Sequence, residues 1–104
     1  MRGDVVRVPA DKRARGPEQA GERYGVVVQS DDLLLSTVLV TPTSTSSLPM
    51  PHRPEVTLLG TQTCLLVEQT RAIRREALGA PVGRLSAAEQ RELDEALRLA
   101  LALD

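Results

Sequence analysis

Gly16-Pro17-Glu18-Gln19-Ala20-Gly21-Glu22-Arg23-Tyr24 runs directly into Gly25-Val26-Val27-Val28-Gln29-Ser30, a polar, glycine-bracketed stretch feeding an apolar one. Gly16 and Gly21 admit backbone conformations that other residues avoid, and Pro17 stiffens the chain between them. The valine triplet reads as a strand buried on both faces. Arg23 falls where loop becomes strand, so a sheet fixes its backbone while its guanidinium reaches outward. That group is planar, permanently charged and multidentate, and suits a phosphate. A solvated loop arginine is the plain alternative.

Outward from this stretch the chain reads as short strands. Val5-Val6-Arg7-Val8 is β-rich and predicts a first strand; residues 11–21 form a long loop, a length that compact domains reserve for function or mobility. Residues 24–29 predict the second strand, Ser30-Asp31-Asp32 a turn, and residues 33–42 a third strand closed by Pro42. Residues 43–54 are Ser, Thr and Pro with little apolar content, a second polar loop. Strands over 55–59 and 63–67 are joined at Gly60-Thr61-Gln62. A short strand over 69–74, a turn at Glu76-Ala77-Leu78 and an edge strand over 81–85 follow. Ser86 and Glu89 form a capping box. Behind it Leu93, Ala96, Leu97, Ala100 and Leu101 make one apolar stripe at helical spacing, which predicts a helix from about Ser86 almost to the end. Five to seven short strands and a packed helix suggest a small twisted β-barrel or curled sheet in a single domain, residues 1–104.

Composition narrows the chemistry. With no Phe, no Trp and one Tyr, the core is aliphatic, and Tyr24 is the sole ring on which a base could stack. A net charge of -1 does not announce a nucleic-acid binder. Any such site must come from local clusters, of which there are two: Lys12-Arg13-Arg15 and Arg71-Arg74-Arg75. Cys64 is the only cysteine and lies in an apolar run, so it reads as a small buried hydrophobe. His52 is the only histidine, which rules out a two-histidine nuclease. No Asp/Glu/His group has ligand spacing, so neither metal nor cofactor is expected. No serine sits on a G-x-S-x-G elbow. No apolar run is long enough for a membrane span and no signal peptide opens the chain, so a cytoplasmic protein is expected.

Chemistry by arginine and hydroxyl remains. RNA can supply its own 2′-OH as nucleophile; an enzyme must then hold the phosphodiester in line and stabilise charge on the phosphorane oxygens. An arginine does the second job, and a nearby hydroxyl can donate a hydrogen bond or pass a proton. Arg23 and the hydroxyls at Thr43, Ser44 and Thr45 are the candidates, though local reasoning does not show that they meet in space.

Five blocks, in order, link them. These are Arg2-Gly3-Asp4-Val5-Val6, Glu18-Gln19-x-Gly21-x-Arg23, Val38-Leu39-Val40-Thr41-Pro42-Thr43-Ser44, Val67-Glu68-Gln69-Thr70-Arg71-Ala72-Ile73, and the C-terminal amphipathic helix. The whole chain thereby resembles the MazF/PemK family of toxin endoribonucleases from toxin–antitoxin pairs. The resemblance implies a mainly β fold, a compact SH3-like, CcdB/PemK-like barrel with a C-terminal α-helix, that forms homodimers. It implies a sequence-specific, metal-independent mRNA interferase that cuts single-stranded RNA, leaves a 2′,3′-cyclic phosphate and a 5′-OH, and is inhibited by a MazE-like antitoxin. The family's catalytic arginine maps onto Arg23. Its catalytic threonine maps onto Ser44 when Pro42 is aligned with the family proline, and a one-residue slip would choose Thr43 or Thr45. Glu18, Gln19, Tyr24, Thr43, Thr45, Gln69 and Arg71 fall where the family meets its substrate. Tyr24 stands where the family has proline, and a few residues past the second strand a common asparagine is missing. Two non-enzymatic readings sit on the same scaffold: a CcdB-type gyrase poison, and an inactive regulator binding antitoxin and operator DNA.

Overall fold

The computed structural model describes residues 1–9 and 23–104; Glu18, Gln19 and the Lys12-Arg13-Arg15 cluster lie outside the described residues. The sheet is assembled on one long strand, Thr37–Ser44. In chain order, β1 is Asp4–Val8, β2 Arg23–Val27, β3 that long strand, β4 Glu55–Leu58, β5 Thr61–Leu65, β6 Arg71–Arg74 and β7 Gly83–Arg84; α1, Ala87–Leu101, closes the chain. The strand order is β4-β5-β3-β2-β1-β7, with β6 also on β3 and every pairing antiparallel. The sheet curls into a nearly closed barrel.

β3 runs past the point where its proline was expected to end it. One edge pairs with β2, Val27 opposite Val40 and Gly25 opposite Pro42. The other edge pairs first with β6, Thr37–Val40 against Arg71–Arg74, and then with β5 at Thr43 and Ser44. Between these two partners the chain makes a 3-10 turn at Val67–Gln69, and the Pro42 carbonyl accepts from the Leu66 N–H at 2.9 Å. A residue's N and C=O face the same strand edge, so Pro42's missing N–H falls at this handover, where a proline disturbs a sheet least. The expected start at Leu33 is also corrected. Residues 33–36 carry no strand pairing, and Leu33, Leu34 and Leu35 are exposed.

The β4–β5 hairpin is tighter than the sequence suggests. Its turn is Leu59-Gly60, with φ of 51° and 82°, the double left-handed geometry that favours Asn-Gly. Gly60 adopts it freely; Leu59, as a bulky residue, does so under strain.

Alternation along the strands builds two apolar clusters, one per face. Val5, Val26, Val56, Leu58, Leu65, Val67, Leu85, Leu93 and Ala96 form the first, under the helix, and Val6, Val8, Val27, Val38, Val40 and Ile73 form the second. Gly25 lets them close. A Cβ there would stand 2.5 Å from Val40 Cγ1 and 3.1 Å from Val8 Cγ1.

Helix α1 starts as the capping box predicts. Ser86 Oγ accepts from the Glu89 N–H at 3.1 Å and Glu89 accepts from the Ser86 N–H at 2.9 Å. Glu89 also accepts from the Thr57 N–H at 3.1 Å, which ties the helix to β4. Only the first half of the expected stripe is core: Leu93 and Ala96 are buried and Leu97 half-buried, whereas Ala100 and Leu101 are exposed. The helix outruns the sheet that covers it. Arg2 locks the other side, with Nη2 on Asp94 at 2.8 Å and Nε on the Val28 carbonyl at 3.0 Å.

Candidate active site

The start of β2 and the end of β3 meet at one rim of the sheet. The paired register ends at Gly25 opposite Pro42; past it Arg23 Nη1 reaches the Thr43 carbonyl and the Thr43 hydroxyl the Tyr24 carbonyl, so the start of β2 lies beside the end of β3 that carries Ser44. Alternation from the Gly25–Pro42 pair puts Arg23 and Ser44 on one side of the rim and Tyr24 and Thr43 on the other. Local reasoning on the sequence left this approach open, and only the family resemblance implied it.

Arg23 is half-buried. Its Nη1 donates to the Thr43 carbonyl at 3.4 Å, a long bond, and its buried Nε has no partner among the described residues. Among the described residues no carboxylate pairs with it. An arginine with a fixed root and unspent donors is prepared for an anion, because a buried donor left unpaired costs free energy that a phosphate oxygen recovers. Ser44 is also half-buried. Its Oγ lies 3.1 Å from Ser46 Oγ and accepts from the Ser46 N–H at 3.2 Å, which holds the hydroxyl at the strand's end. The Thr43 hydroxyl is committed, donating to the Tyr24 carbonyl at 2.9 Å. Thr45 is exposed just beyond the strand.

The structure thus brings Arg23, Tyr24, Thr43, Ser44 and Thr45 together. Gln69 and Arg71 stand apart. Arg71 pairs with Val40 on the far edge of β3, four residues or roughly 13 Å along the strand from Ser44, and Gln69 is exposed at the end of the 3-10 turn.

Two features went unread in the sequence. Arg53 donates to Glu68 Oε2 through Nε at 2.8 Å and through Nη2 as well, pinning the 45–54 loop to the 3-10 turn. The bond from Arg53 holds the Glu68 carboxyl below the usual glutamate range, against the effect of its partial burial. Spacing alone cannot pair residues fifteen apart across a loop. The second feature is a cavity of about 210 Å³ on the Tyr24 side of the rim. Thr43, Leu58 and Thr63 are its buried walls, Tyr24 is half-buried beside them, and Thr45, Leu59 and Thr61 are exposed at its mouth. The Thr63 hydroxyl is buried without a partner among the described residues. A threonine on the inward face of β5, two residues before Leu65, was the available signal.

Cys64, opposite Ser44 in the β3–β5 register, is 1% exposed and its thiol donates to the Ser47 carbonyl at 3.3 Å. Burial pushes the thiol up from its usual range, as befits a core residue rather than a nucleophile.

A short antiparallel barrel closed by a C-terminal helix is the fold that the toxin resemblance implies, and the comparisons with known proteins bear out the fold and the family. The family model for the PemK-like, MazF-like toxin of type II toxin–antitoxin systems matches residues 1–101, and the chain belongs to that family. Endoribonuclease MazF9 of Mycobacterium tuberculosis is 39% identical over 115 residues, covering 98% of this chain and 96% of that one. Among solved structures, an endoribonuclease in complex with its cognate antitoxin, from a mycobacterial species, superposes with a TM-score of 0.81 at 18% identity over 100% of this chain and 96% of that one. MazE–MazF of Deinococcus radiodurans gives 0.74 at 17% over 99% and 95%. At those identities the two structures speak for the fold.

Proposed function

We propose that the chain is a metal-independent endoribonuclease toxin that cuts single-stranded RNA at a short sequence. The observation that carries it is Arg23 on the same side of the rim as Ser44, its guanidinium bonded to the neighbouring Thr43 carbonyl and unpaired by any described carboxylate. Arg23 binds the non-bridging oxygens of the scissile phosphate and stabilises the charge they gain in the phosphorane. Ser44 donates to the same oxygens or passes a proton. The substrate's 2′-OH gives its proton to water and attacks phosphorus, the bond to the 5′-oxygen breaks, and that oxygen takes a proton from the Ser44 hydroxyl, which regains one from water. The products are a 2′,3′-cyclic phosphate and a 5′-OH. No hydroxyl of the enzyme becomes covalent, which suits a site with neither a histidine pair nor an activated nucleophile.

Membership in the toxin family and 39% identity to a named endoribonuclease over nearly the full length support this reading. The same proposal includes a homodimer, with exposed Leu33, Leu34 and Leu35 as an apolar face suited to pairing, and a MazE-like antitoxin whose acidic segment meets the arginines. Action in the cytoplasm, where mRNA is met, completes it. Among the described residues no helix is long and apolar enough to cross a membrane.

The test is incubation of a long unstructured RNA in EDTA beside Arg23→Ala. Defined fragments with cyclic phosphate ends are expected, with a loss of roughly 10²–10³-fold in the variant. Intact RNA with folded protein would overturn the reading and return the chain to the non-enzymatic ones.

A further inference from the structure

The cavity on the Tyr24 side of the rim is not used by the cleavage chemistry. Its described walls are apolar or hydroxyl-bearing, with no charged side chain among the described residues that line it. Such a lining rejects a phosphate and accepts a neutral ring with polar edges. Its volume of about 210 Å³ is below the roughly 300–1,000 Å³ of sites for drug-sized ligands, a size for one heterocycle rather than a whole nucleotide chain. The buried Thr63 hydroxyl has no partner among the described residues, so a donor or acceptor on an entering ring has a group to meet. Leu59 stands at the mouth in a left-handed conformation, φ 51°. Strain of that kind at a pocket's edge is a common mark of a working site. Tyr24 packs against the core cluster under the helix, which fixes its ring.

We propose that this pocket, built by Tyr24, Thr43, Leu58, Leu59 and Thr63, receives one unpaired base of the RNA and sets the cleavage preference at that position. The proposal rests on the endoribonuclease reading and deepens it. Arg23 and Tyr24 are consecutive, so a phosphate held by Arg23 places the adjoining nucleotide at the rim, where its base turns over the edge of the sheet into the cavity. Thr63 reads the base's polar edge; Leu58 and Leu59 hold its faces. A hydrogen bond to an otherwise unpartnered buried group discriminates strongly between ligands that can and cannot make it.

Tyr24 is the chain's only Phe, Tyr or Trp, so tyrosine fluorescence reports on this pocket without a label. The probes are the four 2′-deoxynucleoside 3′,5′-bisphosphates. Each carries one base between two phosphates and lacks the 2′-OH, so none can be cleaved. One base is expected to change the Tyr24 signal at a concentration at least 10-fold below the other three. Thr63→Val, which keeps the shape and removes the hydroxyl, should shrink that ratio to about 3-fold or less. Leu59→Gly removes the pocket wall while relieving the backbone, and should shrink it too. A signal that is absent, or equal for all four bases, or a ratio unchanged in both variants, would overturn the pocket. RNA cutting that Arg23→Ala abolishes would leave the nuclease standing after such a failure. Base selectivity without any RNA cleavage would do the reverse.

Discussion

The hydroxyl of Thr43 is spent on the carbonyl of Tyr24 across the β2–β3 rim, at 2.9 Å. Ser44, one residue on and facing the other way, has its hydroxyl on Ser46 alone among described partners. The two neighbours should therefore fail differently. Ser44→Ala is expected to lower kcat by roughly 100-fold, the scale of a lost proton-transfer group, with the melting temperature nearly unchanged. Thr43→Val should cost about 1 kcal/mol of stability for the lost bond. Single-turnover cleavage rates beside thermal melts separate them; equal loss of rate with no melting change in both would reject Ser44 as the acting hydroxyl.

Gly25 is fixed by close approach rather than by a turn. Gly25→Ala drives a methyl to 2.5 Å from Val40 Cγ1, and overpacking of a tight core typically costs about 1–3 kcal/mol. Urea denaturation should show a lower midpoint at an unchanged slope. A wild-type midpoint would mean that β2 shifts without cost.

Glu68 and Glu89 both hold their protons less tightly than free glutamates. For Glu68 the bond from Arg53 prevails over partial burial. For Glu89, burial opposes ionisation, but the backbone bonds from Ser86 and Thr57 with the Ser86 hydroxyl outweigh it. A folded pKa below the unfolded one adds stability that is present above the unfolded value, about 4.3 for glutamate, and is lost as pH falls through the folded value. Denaturation midpoints should be flat near neutrality and drop below about pH 4. Arg53→Met should move the Glu68 titration, followed by NMR of the side-chain carboxyl, back toward the ordinary range. No movement would show that the ion pair does not form in solution.

Glu89 also joins two elements, the helix N-terminus and β4. Glu89→Ala removes the acceptor for both Ser86 and Thr57 and is expected to cost about 1–2 kcal/mol. Glu89→Gln should recover part of it, since an amide oxygen still accepts. Equal melting of both variants would mean that charge at the helix start, not the two hydrogen bonds, carries the effect.

The sequence was most informative where local chemistry decides alone. The Ser86–Glu89 box, the burial of Val26 and Val27 and the burial of Cys64 each follow from residues within a few positions of one another. It misjudged places where a partner decides. Pro42 reads as a stop until the 3-10 turn at Val67–Gln69 is seen receiving that edge of β3. Leu33–Leu35 read as strand because apolar runs do not announce exposure. Leu101 continues a helical stripe past the end of the sheet that the stripe packs on. At the site, Arg23 and Ser44 stood out as candidates in the sequence, whereas their nearness was implied only by the family resemblance until the β2–β3 pairing and the Arg23–Thr43 bond showed the two strand ends side by side. Thr63's inward position was legible from its spacing to Leu65, but its lack of a described partner was not, being a property of three strands at once.

One consequence follows from Cys64 lying opposite Ser44. A single thiol, sealed beside the end of β3, can be modified only when that corner of the barrel comes apart. Its labelling rate under native conditions is thus a clock for local opening right next to the proposed catalytic hydroxyl, and a ligand that rivets the rim shut would be seen as a slower clock.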